Sequence, residues 1–186
     1  MPSLTEVSPA RAEAELLLGS SSDRSRHVAG VAAAAERVAQ VVAAGDRELL
    51  VAAAWLHDIG YAEELATTGF HPLDGARYLR TLGAPDRLCR LVAHHTCAAA
   101  EAQTRDLTAT LDEEFPAEIS SVADALTYAD MTTGPTGLTV SVADRLAEIL
   151  VRYPAGHVVH ESIVRATPQI LAATCRVEER LASQPR

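Results

Sequence analysis

Apolar residues recur every three or four positions along almost the whole chain, and this spacing limits the fold more than any other feature. It predicts a series of amphipathic helices, and no two neighbouring segments combine strand alternation with a hairpin signal. Aromatic residues make up only 4% of the sequence, so Ala, Val and Leu must supply most of the core. Ala and Leu favour helices over strands. The sequence therefore predicts an all-α protein built as a single compact helical bundle.

Glycines and prolines predict where the helices begin and end. Gly45 and Gly60 mark two helix ends, Asp46 is a predicted N-cap, and Pro116 and Pro168 mark helix starts. The polar segment 99–115 is ambiguous, since it suits either a lid or a simple loop. The predicted helices cover about 9–18, 24–44, 47–58, 71–82, 86–95, 116–130, 141–152, 157–166 and 168–183.

Charge and cysteine content narrow the function classes. The net charge is −9, from 25 acidic and 16 basic residues, and every basic residue is Arg. General nucleic-acid binding needs a basic face and is not expected. The three cysteines, Cys89, Cys97 and Cys175, match no zinc spacing and indicate a reducing compartment without disulfides.

The N-terminus lacks a signal-peptide pattern and no apolar stretch approaches about 18 residues, so we expect a cytoplasmic protein without membrane contact. A homodimer is possible, although no residue pattern specifies it.

Several polar side chains lie on the core-facing stripes of separate predicted helices. The apolar run LLVAAAWL, for example, ends directly in His57 and Asp58. A buried carboxylate without a partner costs several kcal/mol, and a metal cation can satisfy several such groups at once. A single histidine on such a stripe is more commonly a satisfied core residue, but seven residues spread over five helices favour a metal site. The seven residues are His27, His57, Asp58, His71, His94, His95 and Asp130.

The order of these residues, H…HD…H…HH…D, resembles the HD-domain superfamily of metal-dependent phosphohydrolases. LLVAAAWLHDIG resembles the defining helix of that family. GFHPLDGARYL followed by LVAHH resembles the longer signature of its binuclear members, which include HD-GYP cyclic-di-GMP phosphodiesterases and HD-domain diadenosine tetraphosphate hydrolases. The resemblance covers about residues 24–137. It implies an all-α core over that range, with helices 141–183 packed on it in a single domain of residues 1–186.

The resemblance also implies how the residues share metal ions. Asp58 would bridge two divalent ions, for which Fe or Mn is favoured and Mg, Ni or Zn are alternatives. Asp58 and His57 are accordingly the predicted catalytic residues, and Asp58 would help to orient the attacking water. The implied ligands are His27, His57, Asp58 and Asp130 for one ion, and Asp58, His71 and His94, His95 or both for the other.

Several arginines are candidates for contact with substrate. Arg77 and Arg26 are candidate phosphate contacts only because they are close in sequence to His71 and His27. Arg145 and Arg152 in the C-terminal third could border the site entrance. For each of them, an exposed surface position is the commoner interpretation.

Two departures from the family pattern bear on the substrate. Many family members carry a lysine three residues after the HD aspartate. Tyr61 occupies that position in this chain, and the GYP motif is also missing. Hydrolysis of cyclic di-GMP is therefore not expected, and the predicted substrate is a small phosphorylated molecule or a nucleotide. A mixed-valence di-iron oxygenase of the same fold is the alternative. A non-catalytic HD signalling module ranks last, because no expected ligand position is empty.

Overall fold

The computed structural model describes residues 3–19 and 21–184, apart from the side chain of Cys97. Within this part of the chain the secondary structure is helical except for one isolated β-bridge between Thr133 and Thr139. This confirms the predicted all-α fold. The α-helices of the described residues are α1 (Val7–Leu18), α2 (Asp23–Val38), α3 (Arg47–Leu56), α4 (His71–Thr81), α5 (Asp86–Ala93), α6 (Ala98–Thr104), α7 (Thr108–Glu114), α8 (Ser121–Met131), α9 (Val142–Arg152) and α10 (Val158–Ala182).

Helix α3 forms the centre of the main core. It contacts α1, α2, α5 and α8, and Leu50 and Leu56 are fully buried. Burial of such a leucine contributes about 2 kcal/mol. Alanines 52–54 are also fully buried, and their small side chains let the neighbouring helices approach closely. Because α3 ends inside this core, two residues earlier than predicted, the residues that follow Leu56 emerge in the interior of the protein.

A second, smaller apolar cluster is formed by α8, α9 and α10. It contains Met131, Ile149, Ile163, Ala166 and Ile170. Helix α10 also packs against α6, and its C-terminal half is tied to α8 by ion pairs between Asp124 and two arginines, Arg176 and Arg180. None of the helices within residues 3–19 and 21–184 is long and apolar enough to cross a lipid bilayer.

The predicted end of α2 is wrong. The helix ends at Val38 instead of residue 44, and the chain then makes short 3-10 turns that bury Val41 and Val42 in the core. Asp46 occupies the predicted N-cap position of α3, but its side chain makes no cap hydrogen bond. Its carboxylate instead accepts a hydrogen bond of 2.6 Å from Arg87. In both places a tertiary contact overrides the local signal.

Both predicted proline starts are wrong as well. Pro116 precedes α8 by several residues, and the N-cap is Ser120, whose hydroxyl accepts a hydrogen bond from the backbone N–H of Ala123. Pro168 lies inside α10, where the packing of α10 on α6 and α8 offsets the missing backbone hydrogen bond. The ambiguous segment 99–115 falls largely within two short helices, α6 and α7.

Candidate metal centre

Six of the seven predicted metal-binding residues lie together in the interior. They come from α2, the end of α3, the start of α4, the turn after α5 and the end of α8, and five of them are buried, with His71 partly exposed. Their ligand atoms form two groups, and the atoms within each group lie within 4.8 Å of one another. The first group is His27, His57 and Asp130, and the second is Asp58, His71 and His95.

The carboxylate of Asp58 lies between the two groups. Its Oδ1 is 3.2 Å from Nε2 of His71 and 3.6 Å from Nε2 of His95. Its Oδ2 is 3.4 Å from Nε2 of His57 and 3.9 Å from Nε2 of His27. One side chain therefore presents a separate oxygen to each group.

Backbone carbonyls fix the orientation of three imidazoles. Nδ1 of His57 donates to the carbonyl of Ala54 at 2.8 Å, and Nδ1 of His95 donates to that of Val92 at 2.6 Å. Nδ1 of His27 donates to the carbonyl of Gly134 at 3.1 Å. A proton held on Nδ1 leaves the lone pair on Nε2, which is the arrangement found in metal-ligating histidines.

The facing atoms of the cluster fit a cation. Nε2 of His27 lies 3.0 Å from Oδ1 of Asp130, and Nε2 of His71 lies 3.2 Å from Nε2 of His95. Because Nδ1 of His27 donates to Gly134, its Nε2 presents a lone pair to the carboxylate of Asp130, and a cation between these two atoms would relieve their repulsion. Nε2 of His57 is buried without a hydrogen-bond partner among the described residues, and such an unsatisfied atom costs about 1–3 kcal/mol. A donor set of imidazole nitrogens and carboxylates suits divalent transition metals.

Burial and charge set the protonation of these groups. Burial lowers the pKa of His71 to about 4, so its imidazole is neutral at pH 7. Burial alone would raise the pKa of the Asp58 carboxyl, but the charge of Arg24 and the nearby His57 and His71 hold it well below its usual value. Burial alone would also raise the pKa of Asp130, but the adjacent His27 and His57 lower it. Neutral imidazoles and ionised carboxylates are the forms that bind metals.

The seventh residue, His94, does not join the cluster. It is the C-cap of α5, and its Nε2 donates to the carbonyl of Phe115 at 2.5 Å. His95, one residue later, carries its ring into the second group. The geometry favours His95 over His94 as the ligand, a choice that the sequence left open.

We expect His95→Gln and His94→Gln to differ in metal content. Loss of the His95 imidazole removes a ligand and should weaken binding at the second group by roughly 100-fold or more. A glutamine at position 94 can still donate to Phe115, so that variant should keep its metal. Elemental analysis after dialysis checks the ratio of metal to protein, and the assignment fails if only His94→Gln loses metal.

The structure does not bring Arg77 and Arg26 to the cluster. Arg77 forms an ion pair with Glu114 through Nη2, and its Nε donates a hydrogen bond of 3.0 Å to the same carboxylate. Arg26 pairs with Asp23 and donates to the carbonyl of Ser21 at 2.8 Å. Both guanidinium groups are at least one-third exposed, so neither position supports the predicted phosphate contact.

Arg24 is a site residue that the sequence reasoning missed. Its guanidinium pairs with Oδ2 of Asp58 and lies over the ring of Tyr61, 3.9 Å from the ring centroid. The ring of Tyr61 stacks in turn on His71, with 3.9 Å between centroids. Tyr61, which replaces the family lysine, therefore links Arg24 to His71. The available signal was spacing, because Arg24 lies one helical turn before His27.

The loop after α8 is a second feature that the sequence reasoning missed. Its Gly134 accepts the hydrogen bond from His27, and the loop lies so close to α2 that a Cβ on Gly30 would be 2.5 Å from the carbonyl oxygen of Gly137. Thr96, after His95, has φ of 46°, a strained value for a β-branched residue. Its hydroxyl donates to Oδ2 of Asp130. The carbonyl of Gly134 thus orients His27, and the hydroxyl of Thr96 orients Asp130.

A cavity of about 120 Å³ opens beside the cluster. On one side it is lined by the ligands, including His27, Asp58, His71, His95 and Asp130. Its lining also includes apolar residues of the cluster formed by α8, α9 and α10. Two arginines of α9, Arg145 and Arg152, also line it. The cluster is therefore accessible to a small molecule.

Comparisons with known proteins give one match. A family model described as "HD domain" matches residues 24–149, which include every residue of the cluster. Searches of curated proteins and of solved structures found no match. The match covers more than half of the 186 residues and extends beyond the range of the predicted resemblance. The chain therefore belongs to the HD-domain family.

Proposed function

We propose that this protein is a metal-dependent phosphohydrolase that uses two divalent ions to cleave a small phosphoester or nucleotide. The position of Asp58 carries the proposal. Each of its two oxygens faces a separate group of ligands, which is the arrangement expected of a carboxylate that bridges two ions. The membership of the chain in a family of mostly metal-dependent phosphohydrolases supports the reaction class.

The residues around the cluster would support phosphoester hydrolysis in distinct ways. Divalent ions held by the two groups would offset charge on the phosphoryl oxygens and lower the pKa of a water nucleophile. Arg24 balances the charge of Asp58, and Thr96 orients Asp130 through its hydroxyl. The carbonyl partners of His27, His57 and His95 keep each Nε2 directed at the centre. Such a fixed donor set reduces the reorganisation needed during the reaction.

Metal content and hydrolysis test the proposal together. We expect about two ions per chain after reconstitution with Mn²⁺ or anaerobic Fe²⁺, because two groups of ligands are present. The loaded protein should hydrolyse bis-p-nitrophenyl phosphate, and chelation should stop the reaction. Elemental analysis and release of p-nitrophenol measure the two quantities.

Other outcomes would contradict the proposal. Oxygen uptake by iron-loaded protein without ester cleavage would favour a di-iron oxygenase. A protein that remains folded and inactive with Fe, Mn, Mg, Ni and Zn would favour a non-catalytic HD module. One ion per chain with full hydrolytic activity would retain the reaction class and exclude the second ion.

A further inference from the structure

Arg145 is an unusual cation in the wall of the cavity. Its side chain is only 8% exposed, although arginine is rarely so buried without a full set of partners. Its Nη1 donates to Glu148, but its Nε has no hydrogen-bond partner among the described residues. The side chain lines the same cavity as the metal-binding cluster. A buried N–H donor in the wall of a cavity is suited to a ligand that supplies the missing acceptor.

The neighbours of Arg145 define the ligand further. Glu148 pairs with Arg145 and also with Arg152, so this group of three retains one positive charge. That charge lies in a protein whose net charge is −9. Guanidinium N–H groups favour planar or tetrahedral oxyanions, which accept two parallel hydrogen bonds. Glu148 holds one side of Arg145, and the buried Nε on the other side has no acceptor among the described residues.

We propose that Arg145 binds a second oxyanion group of the substrate, a carboxylate or phosphate distinct from the phosphoryl group that reacts at the metal centre. The proposal rests on the proposed function, because it assumes that the ligand cluster holds the reacting phosphoryl group. The substrate class is then a small phosphoester with anionic groups at both ends. The apolar wall of Ile149 and Ile163 contacts the short segment between them.

The size of the cavity agrees with a short substrate. A space of about 120 Å³ is smaller than the typical pocket for a drug-sized ligand. A compact ester such as phosphoglycolate, in which one methylene joins the ester oxygen to the carboxylate, fits this description. Ethyl phosphate has the same carbon chain length without the carboxylate and serves as a matched comparison.

The first experiment measures binding without metal. Metal-free protein at low ionic strength is titrated calorimetrically with inorganic phosphate. We expect binding to the wild type and an affinity at least 10-fold lower in Arg145→Gln, since a charge-assisted hydrogen bond is lost. Arg47→Gln is the matched control, because Arg47 is exposed at the start of α3, and its affinity should equal that of the wild type. Equal affinity in Arg145→Gln and wild type would overturn the inference.

The second experiment compares substrates in the metal-loaded protein. The wild type should show a lower KM for phosphoglycolate than for ethyl phosphate, and Arg145→Lys, which keeps the charge and loses the Nε donor, should reduce this difference. An unchanged ratio of KM values in Arg145→Lys would overturn the inference. Circular dichroism verifies that each variant is folded, and Arg152→Gln provides a more exposed second variant. Phosphate binding that persists in a protein without hydrolytic activity would reject the proposed function while retaining the oxyanion site.

Discussion

Asp58→Asn is expected to abolish phosphoester hydrolysis, with a loss of more than about 10³-fold in kcat/KM. The amide keeps the shape of the carboxylate but replaces one of its two oxygens with an NH₂ group. One group of ligands then faces a donor instead of an acceptor, and the negative charge that pairs with Arg24 is lost. Metal content should fall in parallel, as measured by elemental analysis beside the rate of p-nitrophenol release.

A second buried carboxylate provides the control for Asp58. Asp74 is also buried, but among the described residues its oxygens accept hydrogen bonds only from Thr67 and Thr68. Asp74→Asn should therefore lower the free energy of unfolding by about 1–3 kcal/mol and retain metal and activity in the folded fraction. Wild-type turnover by Asp58→Asn, or equal metal loss in both variants, would contradict the role assigned to Asp58.

Gly60→Ala is expected to destabilise the protein strongly, because a Cβ there would make the closest contact found at any described glycine. A Cβ at position 60 would collide with the carbonyl oxygen of His71 and lie 2.7 Å from the backbone N of Gly75. Both atoms belong to the first turns of α4, so the helix must move away from the chain segment that follows Asp58. We expect a loss of roughly 3–5 kcal/mol in the free energy of unfolding, in the upper range of point substitutions, as measured by urea denaturation.

The same shift should disturb the metal centre. His71 begins α4, so displacement of this helix moves a ligand of the second group away from Asp58. Gly45→Ala is the matched control, because a Cβ there meets no atom within 4 Å and the change should alter stability by no more than about 1 kcal/mol. If Gly60→Ala were as stable as Gly45→Ala, the close contact between α4 and the segment after Asp58 would not be a constraint.

Much of the fold was predictable because periodicity reports which face of a helix is buried. Val31 and Val38 follow His27 at helical spacing on one face of α2, and all three residues are buried, as such a spacing predicts. Helix ends were less predictable where tertiary contacts decide them. Asp46 has the residue type of an N-cap, but its carboxylate accepts a hydrogen bond from Arg87 instead of capping the helix. A proline normally interrupts a helix, yet α10 continues through Pro168 because the helix packs on α6 and α8.

The membership of the cluster was predictable, but its internal arrangement was not. Helical position placed six residues near one another, whereas the direction of each ring depends on carbonyls such as Gly134, which is more than 100 residues from His27. The same limit explains His94 and His95. His94 and His95 are adjacent at the end of α5. It is the hydrogen bond to the carbonyl of Phe115, distant in sequence, that directs His94 away from the cluster. The burial of Arg145 likewise depends on how α9 packs.

The division of the cavity between chain segments has a consequence for how such a protein can change. The six clustered residues lie within residues 24–149, whereas α10 begins at Val158 and contributes Val159, Ile163 and Ala166 to the lining of the cavity. Substitutions in α10 can therefore reshape the space for a substrate without altering any ligand. Selectivity can drift while the reaction is conserved, and a laboratory search for new substrates should begin by randomising this one helix.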